Sequence, residues 1–435
     1  MSHDTLTMLT QLLHSVAEPG EVRQRARKLG VVVRQGKVDA YALLVTTALA
    51  VAHRGPQSLA AIRRSFITGL RISLHRSSFF DRFTPAFREL MKGLLDALVD
   101  KAQPISIRPY GALAGFRDII AIDSTVVKVH DSLAKRWKGT RTNSGKAAIK
   151  VHTWIRALSG EIVKYKVTRE AYGDSRAFGV SGSVKGVLFL LDMGYSSPSL
   201  WWKIHRLGGY FLTRLPADRD PSITRNHRRH RGRSRSSVGR KLRDLLRGLQ
   251  RKYLDVGASF RVKIRPYGDS PGREEDVEFR VVGVRHPVTG KYHLFVTNAP
   301  PTLLPAEVTR NTYRLRWEVE LLFKAAKSHS GLPELPSSKE HIMLTLAYAA
   351  LIRVTAAMQA LAKVRRHAPL GRWINPVQWM TWWNEWLDPM LLELLRPLAR
   401  CTPTSLEELA LLTMDPNLGR TPNRHAFSCW QEATV

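Results

Sequence analysis

The strongest constraint on the fold is a series of apolar, β-rich segments between residues 116 and 216. Three such segments come first, and Ser159-Gly160 separates the second, KAAIKVHTWIRAL, from the third, EIVKYKVTRE. Two residues between alternating runs indicate a β-hairpin. The apolar run VLFLL, a short helix pattern and the run YFLTRLP follow, and a continuous apolar run of this kind is typical of a buried parallel strand. The order predicts an α/β core with a mixed sheet and one crossover helix.

Residues 217–300 predict a basic, β-rich insertion into this core. The stretch from Arg225 to Lys252 contains twelve Arg and Lys residues and one acid, Asp244, and three strand-like runs follow it. A plain connection in a compact domain rarely exceeds about 15 residues, so an inserted subdomain is the better interpretation. A basic run is a solvated tail in most proteins, but in a chain this basic we expect its cations to contact phosphates.

Helical patterns flank the core on both sides. Residues 1–105 contain the segments YALLVTTALAVA and SLAAIRRSFITGL, with Ser58 placed as the N-cap of the second. A helix, a turn and a basic helix can enter a DNA groove, but the same pattern is common in helical bundles. Residues 371–435 are also predicted helical, and an aromatic core or dimer face is expected where tryptophan recurs at helical spacing. These positions are Trp379, Trp382, Trp383 and Trp386.

The charge of the chain indicates a polyanionic partner. Its 435 residues carry 68 Lys and Arg against 36 Asp and Glu, a net charge of +32. Nucleic acid is the expected partner, with a membrane surface as the rival. The two cysteines, Cys401 and Cys429, form no CxxC pair, which excludes a cysteine-rich zinc module and fits a reducing compartment. The longest apolar stretch contains Arg353 and predicts a buried helix, so we expect a cytoplasmic, nucleoid-associated protein without a membrane span.

One predicted helix, YRLRWEVELLFKAAK, gathers its polar groups on a single side. At 100° per residue, Tyr313, Arg316, Glu320, Lys324 and Lys327 share an arc of roughly 80°. The apolar residues of the same segment collect on another side and predict a core face. A solvated surface helix also carries charges, so this pattern by itself leaves the role of the polar face open.

Three carboxylates predict a metal site. Asp123 follows an apolar strand, and Asp192 ends another, so their side chains meet if the strands are neighbours in the sheet. Glu320 on the polar helix face would supply a third, and Asp174 is a rival that we expect to play a supporting role. Acidic oxygens without His or Cys ligands suit Mg²⁺ or Mn²⁺. Two such ions activate a water or a 3′-hydroxyl and stabilise the leaving 3′-oxygen, so the pattern predicts metal-dependent cleavage and transfer of nucleic-acid strands.

The spacing Y-x2-R-x3-E-x6-K, from Tyr313 to Lys327, resembles the signature of the YREK transposases of bacterial insertion sequences, which belong to the DDE class. AIDST around Asp123 and DMGY at Asp192 resemble the two Asp motifs of that family. The resemblance covers roughly residues 115–330. It implies an RNase H-like core, a metal-binding triad of Asp123, Asp192 and Glu320, and cut-and-paste movement of a DNA element. It also implies that Tyr313, Arg316 and Lys327 handle DNA, and we add Lys324 from its place on the helix.

The full interpretation is a DDE transposase with five regions. They are a helical DNA-binding region (1–105), the first part of the RNase H-like core (106–216), the basic β-rich insertion (217–300), the second part of the core (301–370) and a helical C-terminal region (371–435). Its partners would be double-stranded DNA, as terminal inverted repeats and target, and a second copy in a homodimer. Two alternatives stay open: a DNA-binding protein or repressor derived from an inactive transposase, and another RNase H-like nuclease that cuts by DNA structure.

Overall fold

The structure, a computed structural model, describes most of the chain. The described residues are 10–11, 13–32, 38–50, 58–102, 104, 107–140, 145–179, 184–227, 237–264, 272–332, 335–367 and 373–399. The turn predicted at residues 53–57, part of the basic arm (228–236) and residues 400–435 lie outside them.

Nine strands form one continuous sheet. They are β1 (Asp118–Lys128), β2 (Ala148–Arg156), β3 (Ile162–Arg169), β4 (Val187–Leu191), β5 (Tyr210–Arg214), β6 (Ile223–Asn226), β7 (Tyr253–Ile264), β8 (Arg273–Arg285) and β9 (Tyr292–Thr297). Their order across the sheet is β3-β2-β1-β4-β5-β9-β8-β7-β6.

The described residues contain twelve α-helices. They are α1 (Pro19–Lys28), α2 (Ala40–Leu49), α3 (Leu59–Leu70), α4 (Arg76–Phe80), α5 (Pro85–Lys101), α6 (Asp174–Ala177), α7 (Pro198–Arg206), α8 (Leu242–Leu246), α9 (Ala306–Arg314), α10 (Trp317–His329), α11 (Glu340–His367) and α12 (Pro376–Leu395).

The first five strands confirm the predicted RNase H-like α/β core. β1, β2 and β3 form an antiparallel meander, whose last turn contains Gly160 at a φ of 85°, a conformation that glycine adopts without strain. β4 pairs with β1 and β5 pairs with β4, both in parallel, and α7 is the crossover helix between them. All five residues of β4 are buried, as expected of a parallel strand covered on both faces.

The strands predicted between residues 217 and 300 are present, and they extend the core sheet. β9 returns antiparallel to β5, and β8, β7 and β6 follow outward. This arrangement has a physical advantage, because a bare β5 edge would expose unpaired backbone groups. The inserted strands therefore share a hydrogen-bonded sheet with the strands that carry Asp123 and Asp192.

The helices before and after the core pack into one hydrophobic cluster. All ten residues of α2 are buried, and α2 and α5 both contact α11. Ser58 caps α3 as predicted, since its hydroxyl accepts a hydrogen bond from the Ala61 N–H at 3.2 Å. The expectation of an aromatic core also holds, because Trp379 and Trp383 are 8% and 0% exposed.

The long apolar helix α11 is a core helix, as the sequence predicted. It is the one helix among the described residues that is long and apolar enough to cross a membrane, and 94% of its most apolar window is buried in the protein. Its Arg353 donates to the carbonyl of Ala48 at 2.9 Å and to that of Ser330. These carbonyls lie at the C-terminal ends of α2 and α10, where a cation is favoured by the helix dipoles.

Candidate active site at the ends of two parallel strands

The sheet register places Asp123 and Asp192 side by side. In the parallel pairing of β1 with β4, Ile122 lies opposite Leu191, and each Asp is the next residue of its chain. The parallel pairing ends there, because β4 stops at Leu191 while β1 continues to Lys128 beside β2; Asp123 therefore lies within β1, and Asp192 directly follows β4. The predicted neighbourhood of these two carboxylates is therefore confirmed.

The predicted single helix from Tyr313 to Lys327 is wrong in one respect. α9 ends at Arg314 and α10 begins at Trp317, and between them the Arg316 N–H donates to the Tyr313 carbonyl, three residues back, at 3.0 Å. Such i→i−3 bonds tighten the chain into a 3₁₀-like turn. The Thr312 hydroxyl also donates to the Val308 carbonyl at 2.9 Å, and this kind of back-bonding bends helices.

Because of this turn, Tyr313 faces inward. The residue is 8% exposed, and its hydroxyl donates to the Leu191 carbonyl at 3.3 Å, directly before Asp192. The guanidinium carbon of Arg316 lies 5.6 Å from the centre of the Tyr313 ring. Tyr313 thus packs behind Arg316 instead of lining the open cleft, and its DNA-binding role stays a prediction.

Arg316 contacts all three predicted catalytic carboxylates. Its Nη1 lies 3.7 Å from Asp123 Oδ2 and 4.0 Å from Asp192 Oδ1, and its Nη2 donates to Glu320 Oε1. The Arg316 side chain is only 11% exposed. The structure therefore brings Asp123, Asp192 and Glu320 to one place, with a guanidinium between them.

The pKa of Asp123 is raised to about 6, mainly by burial and also by the neighbouring carboxylates of Asp192 and Glu320. The Ser124 N–H, which donates to Asp123 Oδ1 at 2.7 Å, and the Arg316 guanidinium act in the opposite direction. A carboxyl group in a partly dry site next to like charges resists ionisation until a cation compensates it.

An open cleft of about 510 Å³ adjoins these groups. It is lined by Ser124, Thr125, Glu320, Phe323, Lys324, Lys327 and Ser328. Lys324 and Lys327 are exposed, as predicted for groups that face a ligand. The cleft thus combines one proposed metal ligand with two accessible cations.

The donor set fits a hard divalent cation, because it consists of carboxylate oxygens. Within the described part of the chain, however, no group of three or more His, Cys, Asp or Glu side chains is arranged to hold one ion. The reason lies in the geometry above, since the three carboxylates point at Arg316. Their oxygens have the right chemistry, and in this conformation a guanidinium takes the place at their centre.

The sequence analysis did not identify a second polar cluster beside Asp123. Asp174 Oδ1 accepts from the Ser124 hydroxyl at 2.8 Å and from Lys150 Nζ at 3.4 Å, and it lies 3.5 Å from His152 Nδ1. Burial lowers the pKa of His152 to about 4, so that its imidazole is neutral. The sequence contained an indication of this cluster, because Lys150 and His152 are alternate polar residues in an otherwise largely apolar strand. That strand is buried along its whole length.

A fifth residue, Tyr195, connects this cluster with the turn after Asp192. The hydroxyl of Tyr195, which is 1% exposed, lies 3.3 Å from His152 Nδ1. Tyr195 ends the short 3₁₀ turn that follows Asp192. A Cβ at Gly194 would lie 3.1 Å from Asp174 Oδ2, so the glycine of DMGY allows this turn to approach Asp174 closely.

Comparison with known proteins supports the same interpretation. The family model described as Transposase DDE domain matches residues 114–353. Over 83% of its length the chain is 22% identical to the transposase for insertion sequence element IS231C of Bacillus thuringiensis subsp. berliner, and it covers 81% of that protein. The IS231D transposase of Bacillus thuringiensis subsp. finitimus is 20% identical over the same shares.

A solved structure, the piggyBac transposase synaptic complex with hairpin DNA, aligns with a TM-score of 0.49 and 9% identity. The alignment covers 96% of this chain and 87% of that one. The family match spans more than half of the chain and contains Asp123, Asp192 and Glu320. Enzymes of this family act on DNA and use divalent metal ions. The chain belongs to the DDE transposase family, and its function is that of a DDE transposase.

Proposed function

We propose that this transposase cuts and joins DNA at the ends of an insertion sequence, in a cut-and-paste reaction catalysed by Asp123, Asp192 and Glu320. The observation that carries the proposal is the convergence of three carboxylates on one guanidinium, at the point where the parallel pairing of β1 with β4 ends. Buried or half-buried carboxylates without individual partners are unfavourable, and they persist where function requires them.

The same three residues would hold Mg²⁺ or Mn²⁺, and we propose two ions. When bound, the ions activate a water or a 3′-hydroxyl and stabilise the leaving 3′-oxygen. The chain contributes rigid placement: Asp123 lies within the hydrogen-bonded strand β1, Asp192 directly follows β4, and Glu320 comes from the first turn of α10.

Lys324 and Lys327 would neutralise phosphates of the DNA strand in the cleft. Arg316 and Tyr313 of the YREK spacing would help to position that strand, Tyr313 through its ring contact with Arg316 rather than through a phosphate of its own. We further propose that residues 1–105 and the basic insertion at 217–300 bind the terminal repeats, with the core divided into 106–216 and 301–370 and followed by the helical region 371–435. A homodimer in the cytoplasm, on the nucleoid, would engage both element ends.

The test is cleavage of a labelled duplex that carries the ends of the DNA flanking this gene, with Mg²⁺ or with EDTA. We expect cleavage at the element boundary that EDTA abolishes. The D192N variant should lose cleavage and retain DNA binding within about threefold. Binding without cleavage by the wild-type protein in Mg²⁺ and Mn²⁺ would favour a repressor, and structure-dependent cutting would favour another RNase H-like nuclease.

A further inference from the structure

The site has fewer positive charges than its carboxylates require. Asp123, Asp192 and Glu320 share the single guanidinium of Arg316. The buried Asp255, by contrast, has an arginine of its own, Arg280, and two of their nitrogen–oxygen distances are 2.7 Å. When all three carboxylates are ionised, the local charge is −2, in a chain whose net charge is +32.

We infer that Arg316 is the internal counter-ion of this site, and that it competes with divalent cations for the same carboxylates. The inference rests on the proposed function, because it takes the triad as the metal ligands. Its consequence is a coupling: a DNA strand that draws Arg316 out of the site increases the affinity of the site for metal.

Electrostatics makes the two occupants incompatible. The Nη1 atom lies within 4.0 Å of an oxygen of each Asp, so an ion bound by these oxygens would stand a few ångströms from the guanidinium. Like charges at such a distance repel each other at a protein surface, and a divalent ion doubles the repulsion. Arg316 must therefore move before a divalent cation binds tightly.

The surroundings of Arg316 permit this movement. Arg316 belongs to the 3₁₀-like turn between α9 and α10, and such a turn within a helical segment often marks a hinge. Its Nε atom is buried and has no hydrogen-bond partner among the described residues. Its contact with Tyr313 is with a ring face, which imposes less directional constraint than a bidentate carboxylate pair.

A phosphate offers Arg316 a better partner than the shared carboxylates. Guanidinium groups bind phosphates through two parallel hydrogen bonds, whereas here Nη1 is 3.7 and 4.0 Å from its two Asp partners. Glu320, which Arg316 contacts most closely, lines the cleft with Lys324 and Lys327, so a strand bound to these lysines passes close to the guanidinium. By linkage, metal and DNA would then each strengthen the binding of the other by the same factor.

The experiment is calorimetric titration with Ca²⁺ and with Mn²⁺ of the full-length protein, free and bound to an element-end duplex with non-hydrolysable linkages at the cleavage site. We expect DNA to tighten metal binding by the wild-type protein about tenfold, within the usual range of coupling between sites. The R316Q variant should bind metal about tenfold more tightly than wild type when free, and DNA should add less than about twofold.

K324Q is the matched control. It also removes one positive charge, but from the adjoining cleft, where Lys324 is exposed and solvent screens it, so its effect on the metal affinity of the free protein should stay below about twofold. Unchanged or weaker metal binding by free R316Q, with a melting curve like that of wild type, would overturn the inference and make Arg316 a positioning residue.

If R316Q fails to fold, the wild-type comparison still decides, because equal metal affinity with and without bound DNA excludes the coupling. Failure of the proposed function gives a different result: the wild-type protein then leaves the element-end duplex uncut in Mg²⁺, whatever the metal affinities are.

Discussion

Two polar clusters lie beside the middle of β1, at Asp123 and Ser124, and they are built differently. Asp123 and Ser124 are consecutive strand residues, so their side chains point to opposite faces of the sheet. Ser124 donates to Asp174, which Lys150 accompanies as a cation of its own, 8% exposed at its side chain. Asp123 shares one arginine with two further carboxylates.

The difference teaches where the protein tolerates unfavourable electrostatics. The Asp174 cluster resembles other buried pairs in the molecule, such as Asp255 with Arg280 at 2.7 Å and Glu318 with Arg365 at 3.1 Å. In each of these pairs one positive charge balances one negative charge, so no further ion is needed. The triad keeps an unbalanced negative charge, and unfavourable interactions of this kind are typical of functional sites.

The largest loss of stability should come from removing one charge of the Lys150–Asp174 pair. D174N leaves the Lys150 ammonium buried without its counter-charge, and removing one partner of a buried pair costs about 3–5 kcal/mol. Because Asp174 is 22% exposed at its side chain, we expect the lower end, a loss of about 3 kcal/mol in the free energy of unfolding. Urea denaturation in EDTA measures it.

The K150M/D174N double variant is the control for this prediction. It removes both charges together, so it should recover at least half of the lost stability. A D174N variant as stable as wild type would remove the contrast between the two clusters.

Removing a carboxylate from the triad should instead increase the free energy of unfolding. D123N replaces a carboxyl group whose pKa is raised to about 6, mainly by burial and then by its acidic neighbours. Each unit of such a shift corresponds to about 1.4 kcal/mol, and the partial exposure of Asp123 reduces the effect. Without metal at pH 7.5, we expect D123N to be about 2 kcal/mol more stable than wild type in urea denaturation.

The pH dependence gives the sign of this effect independently. The pKa of Asp123 in the folded protein, about 6, is above the unfolded value of about 3.9, so the folded state binds more protons between these pH values. The stability of the metal-free wild-type protein should therefore decrease as the pH rises from about 4 to about 6. A D123N variant that retains the full wild-type slope over this range would show that another group produces it.

A smaller loss of stability should follow when the hydrogen bond between Tyr313 and the Leu191 carbonyl is removed. Y313F removes the hydrogen bond to the Leu191 carbonyl and keeps the ring beneath Arg316, so it should cost about 1 kcal/mol of stability. DNA affinity should stay within about twofold of wild type, because the ring is buried. A loss of DNA affinity above tenfold with unchanged stability would support instead a direct phosphate contact by Tyr313.

The parts of this site that follow from local patterns could be predicted. Asp123 and Asp192 end apolar runs, and parallel strands place such residues together wherever they occur. The inward rotation of Tyr313 could not, because it depends on a 3₁₀-like turn inside a sequence with helical spacing throughout. The pairing of Lys150 with Asp174 was also hidden, since it joins residues from different elements, and only their tertiary packing decides which acid meets which base.

The smallest effects should come from the exposed cations of the cleft. K324A and K327A remove side chains that are solvent-exposed, so each should change the free energy of unfolding by less than about 0.5 kcal/mol. If each lysine neutralises one phosphate, each variant should reduce the slope of log affinity against log salt by about 0.9. Fluorescence anisotropy of a labelled duplex between 50 and 200 mM KCl measures this slope. An unchanged slope in both variants would show that the DNA binds elsewhere on this basic surface. A bound DNA strand could then not explain why the carboxylates of the triad share a single arginine.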